Sequence, residues 1–282
     1  MKHKQFAEGP MRALFFAAAC VSIFFVVLIC AFLLASGVPA IGKIGLFRFL
    51  TGVVWRPRNG LYGIFPFLLG SVYVTAGAIL VGVPVGVLTA VYLARFCPKA
   101  IAKLLDPAIS LLAGTPSIIF GFFGLVVLTP LTERLFGAGK SILTASLLLG
   151  IMILPTVISV SASALRAVPQ SYYEGALALG ATPERSMFFS VIPAAKSGIM
   201  AAIVLGVSRA VGETMAVMMV AGNSTAVPAG IASRVRTLTT HIAIEMGYAE
   251  GLHRDSLIAT AVVLLVLILI IYFLLSLIKK EK

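Results

Sequence analysis

The stretch IFPFLLGSVYVTAGAILVGVPVGVLTAVYLA, residues 64–94, carries no charged side chain. A helix that crosses a bilayer needs about 20 predominantly apolar residues, so this stretch is long enough to span a membrane. The whole chain has the same character: 60% of its residues are hydrophobic, 11% are charged, and its mean hydropathy is +1.08. Soluble domains carry about 25% charged residues. The sequence therefore predicts an integral membrane protein.

Five further apolar runs give six candidate spans. The first follows positive charges, as a signal peptide does, but it is longer than the usual apolar core of about 7–15 residues and is expected to stay as an anchor. No Ser-rich or Pro-rich linker divides the chain. We therefore expect an all-α integral membrane protein whose residues 1–282 form one domain with six transmembrane helices. The expected spans are residues 13–35, 64–94, 107–132, 141–165, 197–222 and 256–278.

Small residues and prolines within the runs predict how the spans pack. Gly82 and Gly86 form a G-x-x-x-G pair that would let another helix approach closely. Prolines are tolerated in membrane helices because neighbouring helices satisfy the backbone groups that they free. We expect kinked helices, and not loops, at the prolines in or beside the runs, which are Pro66, Pro84, Pro116, Pro155 and Pro193.

The distribution of Lys and Arg predicts the orientation. If the N-terminus is cytoplasmic, the inside segments hold twelve of the 22 Lys and Arg residues and the outside segments hold nine. The bias follows the positive-inside rule. We expect both termini to be cytoplasmic. Topology and lipid headgroups also explain the net charge of +12, since no basic helix or stacking motif indicates a nucleic-acid partner.

Several chemical motifs are incomplete. FGAGKS, residues 136–141, resembles the end of a phosphate-binding P-loop, but Arg134 stands where that motif needs Gly. His241, Glu245 and His253 lie close in sequence, but they offer too few ligands for a metal site, and ordinary loop packing is favoured. No span clusters a nucleophile, a base and an orienting group. The sequence indicates a protein that is not itself an enzyme and binds no metal.

Two charges interrupt the fifth run, in SRAVGETMAV, residues 208–217. On a continuous helix Arg209 and Glu213 would share one face. An Arg at the centre of a membrane costs about 2.5–3.5 kcal/mol on insertion scales, so both groups should face protein or water. A guanidinium can hold a tetrahedral oxyanion through two hydrogen bonds. The pair therefore predicts a substrate pathway, with a purely structural ion pair as the alternative.

The segment VPQSYYEGALALGATPERSMFFSVIPAAK, residues 168–196, follows the fourth span. Gly180 suits the C-terminal end of one helix, and Thr182 suits the N-cap of a second. Tyr172, Ala176 and Leu179 follow the spacing of one helix face, which could fill a groove in a partner or lie on the lipid. The spacing predicts a helix–turn–helix element at the membrane surface.

This segment resembles the permease signature of bacterial ABC importers. EGALALG is followed nine residues later by SVIP, although Gly175 and Ser190 depart from the pattern. The resemblance implies a type I permease fold in which residues 168–193 form a coupling helix that docks on an ATPase subunit. ATP would be bound there, and this chain would need no cofactor. The residues implied in coupling are Tyr172, Glu174, Ala176 and Gly180.

GVSRAVGETMAVMMVAGN and VRTLTTHIAIEMGYAEGLHRDSL, residues 206–223 and 235–257, are similar to the C subunits of phosphate-specific ABC permeases. The similarity extends over roughly residues 45–278. It implies import of inorganic phosphate by alternating access, with Arg209 and Glu213 in the pathway. The implied partners are an A-type second permease, a dimer of ATPase subunits, a phosphate-binding protein outside the cell, and membrane lipid. Another oxyanion, such as molybdate, sulfate or phosphonate, and an ion-coupled secondary transporter remain as alternatives.

Overall fold

The computed structural model describes residues 2–280 and the side chains of residues 11–277. In these residues helices dominate, and the only sheet is a two-stranded hairpin. Three helical stretches are followed by single π-helical turns, at Tyr92–Phe96, Gly124–Leu128 and Met187–Val191. The elements are α1 Lys2–Ile44, α2 Leu46–Thr51, β1 Trp55–Arg56, β2 Leu61–Tyr62, α3 Phe65–Val91, α4 Lys99–Gly114, α5 Ser117–Phe123, α6 Thr129–Phe136, α7 Ile142–Arg166, α8 Gln170–Ala178, α9 Pro183–Ser186, α10 Ile192–Ala194, α11 Lys196–Gly212, α12 Met215–Val220, α13 Leu238–Glu245 and α14 Gly251–Lys280.

The helices confirm the all-α membrane fold. Five helical stretches are long and apolar enough to cross a membrane, and a sixth is reached if the bent pair Pro183–Ala194 and Lys196–Gly212 counts as one span. That pair bends by 73°. The five stretches are Met11–Ile44, Phe65–Phe96, Ser117–Phe136, Ile142–Arg166 and Gly251–Leu277.

The centre of the molecule is α7, which packs along α3 on one side and α11 on another. A β-carbon added to Gly82 of α3 would lie 2.7 Å from the Gly150 carbonyl oxygen of α7, and one added to Gly86 would lie 2.8 Å from Val157. The predicted close approach at the glycine pair is therefore confirmed. The same mechanism operates at Gly206 of α11, where a β-carbon would lie 2.9 Å from Val157.

The third span begins later than residues 107–132 predict. α4 ends at Gly114, and Thr115 and Pro116 have extended backbones before α5 starts at Ser117. A residue before proline is pushed away from the helical region, and proline cannot donate to the helix behind it. Pro116 therefore breaks the helix, and our expectation of a mere kink at this position was wrong.

The molecule has two ends that carry different features. The hairpin end holds the β1–β2 hairpin, in which Trp55 pairs with Tyr62, together with α13 and the start of α14. Trp55, Phe67 and Leu257 are buried together there. The coupling end holds the π-helical turn Tyr92–Phe96 and α8, which meet through Arg95 and Gln170.

Candidate substrate pathway and coupling segment

Arg209 lies in the last turn of α11 and is half-buried. One side of α11 packs on α7 through Gly206, whereas Leu205 and Gly212, one turn before and after Arg209, are exposed. The guanidinium thus sits at the border between the packed side and the open side of the helix. A cation near a helix C-terminus is favoured by the helix dipole.

Glu213 does not continue that helix. α11 ends at Gly212, and Glu213 has an extended backbone, with φ −69° and ψ 127°. Its carboxylate Oε1 accepts a hydrogen bond of 3.1 Å from the backbone N–H of Ala216, in the first turn of α12. The expectation that Arg209 and Glu213 share the face of one continuous helix is therefore wrong, because α11 ends at Gly212 and the Glu213 side chain bonds instead to the start of α12. The expected span 197–222 is likewise split between α11 and α12.

The two charges are not paired with each other. Among the described residues, neither Arg209 nor Glu213 forms an ion pair within 4.0 Å. Neither lines any of the clefts described in this chain. Within the described residues, Arg209 therefore has no carboxylate partner for its charge.

A second Arg and Glu pair forms the centre of a buried cluster at the hairpin end. Arg236 Nη1 donates to Glu245 Oε1 at 2.7 Å, and these side chains are only 11% and 8% exposed. The other carboxylate oxygen, Oε2, accepts from Trp55 Nε1 at 2.8 Å and lies 2.9 Å from His253 Nε2. We call Trp55, Arg236, His241, Glu245 and His253 the Glu245 cluster.

His241 is the fully buried member of the cluster. Its ring stacks on Phe67 with centroids 4.0 Å apart and meets the edge of Trp55 at 4.3 Å. Burial, followed by the charges of Arg236 and His253, lowers the pKa of His241 to about 2. The ring is therefore neutral at any physiological pH. In the cluster the positive charge beside Glu245 comes from Arg236.

The sequence brought His241, Glu245 and His253 to notice only as weak metal ligands, and it missed Arg236 and Trp55 altogether. Arg236 was counted among ordinary loop charges. The available signal was weak: a carboxylate that becomes buried needs a cationic partner, and an Arg lies nine residues before Glu245. The tryptophan partner, 190 residues away, leaves no local pattern.

A cleft of about 600 Å³ opens beside the Glu245 cluster. The turn between β1 and β2 forms one wall, and Glu245 and His253 lie at its inner side. Two exposed arginines in the hairpin, Arg56 and Arg58, contribute to the lining. The cleft is therefore polar and positively charged where it opens to the surface.

Residues 168–193, which we call the coupling segment, have the predicted helix–turn–helix form. Gly180, with φ +87°, follows α8, and its N–H donates to the Leu177 carbonyl while the Ala181 N–H donates to that of Ala176. These two bonds are a Schellman motif, which needs a left-handed residue such as Gly. The Thr182 side chain caps α9 by accepting from Arg185 N at 3.3 Å. Both predicted caps are confirmed.

The coupling segment is exposed on one side and attached to the spans on the other. Tyr172 is 53% exposed and Leu179 is 91% exposed. The Arg95 guanidinium lies 5.0 Å from the ring centroid of Tyr173, and Arg95 Nη1 donates to Gln170 at 3.4 Å. Gln170 in turn donates to Glu174 at 2.9 Å. α8 thus rests on the end of the second span and presents apolar groups outward.

These features together define a class: the membrane-spanning permease of a type I ABC importer. The fold is shared with a MetNI methionine ABC transporter in inward-facing conformations, at a TM-score of 0.56 and 23% identity over 80% of this chain and 97% of the other. It is also shared with a bacterial ABC transporter involved in import of the acidic polysaccharide alginate, at a TM-score of 0.55 and 16% identity over 94% and 96% of the two chains.

The chain belongs to the family of binding-protein-dependent transport system inner membrane components, whose model matches residues 82–281. It is 36% identical to a probable ABC transporter permease, YqgH, of Bacillus subtilis, over 94% of this chain and 89% of that protein. It is 34% identical to the phosphate transport system permease protein PstC of Mesorhizobium japonicum, over 85% and 80% of the two chains. The PstC of Pasteurella multocida is 31% identical over 77% and 75%.

Proposed function

We propose that this chain is one permease subunit of an ATP-driven importer that carries inorganic phosphate into the cell by alternating access. The observation that carries the proposal is the similarity, over most of the chain, to relatives named as phosphate transport permeases. The unpaired Arg209 within a broken span supplies a suitable anion-binding group. The chain itself is not an enzyme and needs no cofactor, since ATP is hydrolysed on a partner.

The partners follow from the type of importer. A second permease subunit completes the pathway, an ATPase dimer lies against the cytoplasmic side, and a phosphate-binding protein delivers the anion from outside. Arg209 lies on an open side of α11, which supports a pathway completed by a second subunit and not one enclosed within this chain. The coupling end then faces the cytoplasm, in the inner membrane, with both termini on that side.

In the pathway, Arg209 binds the travelling anion and Glu213 helps to select it. Hydrogen phosphate carries a hydroxyl that can donate to a carboxylate, whereas sulfate is fully ionised near neutral pH and has no such donor. Glu213 Oε1 already accepts a bond from Ala216, so the second oxygen, Oε2, is the one assigned to the anion. The break after Gly212 brings the end of one helix and the start of the next to this site.

Phosphate uptake into proteoliposomes that contain the full complex tests the function. We expect wild type to accumulate phosphate only with ATP and the binding protein, and Arg209→Gln to lower uptake at least about ten-fold, because the anion loses its charged partner. Uptake that persists with a catalytically inactive ATPase subunit would indicate a secondary transporter. Preferred uptake of sulfate, molybdate or phosphonate would move the substrate to another oxyanion.

Competition between phosphate and sulfate tests Glu213. The Glu213→Gln side chain can still cap α12 through its carbonyl oxygen but presents an amide to the anion. We expect phosphate to lose its advantage over sulfate in a defined mixture supplied to the complex. Unchanged discrimination would remove Glu213 from selection and leave it as a helix cap.

The coupling role is tested by copurification of the ATPase subunits. Tyr172→Ala removes an exposed aromatic group of α8 and is expected to weaken ATPase retention about ten-fold, as the loss of an interface anchor does. Phe47→Ala is the matched control, since Phe47 is an exposed aromatic group in α2, outside residues 168–193. Equal retention in both variants and in wild type would contradict a docking role for α8.

A further inference from the structure

Arg236 connects three parts of the hairpin end at once. Its Nη1 donates to Glu245 Oε1 at 2.7 Å, and its Nε donates to the backbone carbonyl of Asn223 at 3.3 Å. The guanidinium carbon also lies 5.8 Å from the ring centroid of Phe67. The planar fork of an Arg can make such bonds in two directions, which the single ammonium of a Lys cannot reproduce.

Asn223 stands just beyond the end of α12. It is the one non-glycine residue with positive φ in the described part of the chain, at φ 52°. Its side-chain Nδ2 donates to the Met218 carbonyl of α12 at 2.8 Å. Next to it, the Val235 N–H donates to the Ala221 carbonyl at 2.8 Å. The C-terminal end of α12 is therefore fixed to the segment that carries Arg236.

The N-terminal end of α12 is fixed to the same segment. Thr239, in the first turn of α13, donates through its hydroxyl to the Glu213 carbonyl at 3.0 Å. Glu213 in turn caps α12 through its side chain. Both ends of this short half-helix are thus attached to residues 235–239.

That segment is itself held by the Glu245 cluster. Glu245 lies at the end of α13. Its Oε2 accepts a hydrogen bond of 2.8 Å from Trp55 Nε1 of the hairpin and lies 2.9 Å from His253 Nε2 of α14. Trp55 lies in β1, just before the second span, and His253 lies in the first turns of α14, the last span. Arg236 joins the Glu245 cluster to the end of α12 through its bonds to Glu245 and to the Asn223 carbonyl.

We propose that Arg236 is a positioning residue for transport: held by Glu245, it sets the place of α12 and therefore the place of the Glu213 carboxylate beside the Arg209 pathway. Arg236 does not touch the anion. The inference rests on the proposed function, since it assigns Arg209 and Glu213 to that pathway.

The chemistry of the pair supports a positional role. Desolvating two charges offsets most of their attraction, so an apolar cluster of similar volume would stabilise the fold about as well. An apolar side chain could not also donate to the Asn223 carbonyl. What the ion pair adds is a fixed direction for the guanidinium, which is the property that a positioning residue needs.

The test uses the full complex with its ATPase subunits and binding protein, and measures phosphate moved per ATP hydrolysed. We expect Arg236→Gln to lower this ratio about ten-fold, because small displacements of a binding group are costly. Arg236→Lys should fall between Arg236→Gln and wild type, since it keeps the charge but not both bonds. Arg234→Gln is the matched control, an exposed Arg two residues away, and should leave the ratio unchanged.

A ratio in Arg236→Gln equal to that of wild type would overturn the inference, as would a Lys variant that matches wild type, which would reduce the role to charge. Should Arg236→Gln fail to assemble, Asn223→Gly decides: it tolerates the positive φ, keeps the carbonyl for Arg236 and removes only the bond to Met218. We expect its ratio to fall about two-fold, and no change would count against the inference. A wild-type complex that moves no phosphate would instead contradict the proposed function.

Discussion

The chain contains two Arg and Glu pairs that differ in almost every physical respect. Arg236 and Glu245 are buried, 2.7 Å apart, and share their remaining hydrogen-bonding groups with Trp55, His253 and a backbone carbonyl. Arg209 and Glu213 are half-buried, are divided by a helix end, and form no ion pair in the described chain. In one pair nearly every polar group has a partner within the protein. In the Arg209 and Glu213 pair, the Arg209 charge has no such partner and is available to bind an anion.

The difference distinguishes charges that stabilise the fold by pairing within the protein from charges that remain free to bind a ligand. A buried ion whose partner is removed costs about 3–5 kcal/mol, so the Glu245 cluster should dominate the response of stability to mutation. An accessible Arg with no partner costs little to remove from the folded protein, yet it is the group that an anion needs. The pairs should therefore respond in opposite ways in measurements of stability and of transport.

The largest effect on stability is expected from Glu245→Gln. In this variant one carboxylate oxygen becomes an amide nitrogen, which cannot accept a hydrogen bond from Arg236 or Trp55, since both are donors. The charge of Arg236 would also lose its partner. We expect the free energy of unfolding to fall by about 3–5 kcal/mol, measured by thermal unfolding of the purified complex. Glu133→Gln, an exposed carboxylate in α6 away from the cluster, is the control and should change it by less than about 0.5 kcal/mol. A similar small change at Glu245 would mean that the cluster is not a structural centre.

The next effect is the pH dependence caused by His241. Its pKa is lowered to about 2 in the folded protein, mainly by burial and then by Arg236 and His253, so only the unfolded chain takes up a proton near pH 6.5. The contribution of neutral His241 to the free energy of unfolding is therefore greatest above pH 6.5, and it declines as the pH falls below that value. Between pH 7.5 and 5.5 it should remove about 1.4 kcal/mol of stability.

His241→Phe isolates that contribution. A phenyl ring preserves the stack on Phe67 and the edge contact with Trp55 but cannot take up a proton. Glu245 and His253 remain in both proteins, so their titration is common to the two curves. The stability of the variant should therefore decline less steeply with acid, and parallel curves would contradict a neutral buried His241.

A smaller effect is expected from Glu213→Gln. The amide oxygen can still accept from Ala216, so the variant loses only the favourable interaction of a negative charge with the start of α12. We expect a loss of about 0.3–1 kcal/mol in thermal unfolding of the complex. Glu133→Gln, outside the broken span and the Glu245 cluster, provides a comparison. A loss as large as that of Glu245→Gln would place Glu213 among the structural charges.

The smallest effect on stability belongs to the residue with the largest expected effect on transport. Arg209→Gln should alter the free energy of unfolding by less than about 0.5 kcal/mol, since no carboxylate within the described chain loses its partner. A calorimetric comparison of wild-type and variant complexes measures this. A loss of several kcal/mol would return Arg209 to the structural alternative.

Local signals in the sequence were enough for the membrane helices and the coupling segment. Apolar runs identified the spans because lipid imposes the same requirement on every turn of an exposed helix. Gly180 and Thr182 marked helix ends because each supplies a backbone conformation or a side-chain acceptor that the end requires.

The break in the fifth span and the Glu245 cluster were beyond those signals, whereas Pro116 was a local signal for the break in the third span that we interpreted as a kink. The charges of the fifth run do not show that the helix ends at Gly212, and the hydrogen bond from the Ala216 N–H to the Glu213 carboxylate is a contact that local periodicity does not reveal. The bond between Trp55 and Glu245 depends on how the β1–β2 hairpin and α13 come together. Which charges are shared and which are left free is a property of that tertiary arrangement. The roles of Arg209, Glu213 and Tyr172 remain predictions.

The first helix has an unequal attachment to the rest of the chain. Its apolar stretch within Met11–Ile44 is uncovered by other parts of this subunit, whereas Gly37 and Ala40, near its far end, pack tightly, the former against Val262. This helix is therefore anchored to its subunit at one end only, and its free half offers the bilayer or a neighbouring subunit an apolar surface that this chain does not cover.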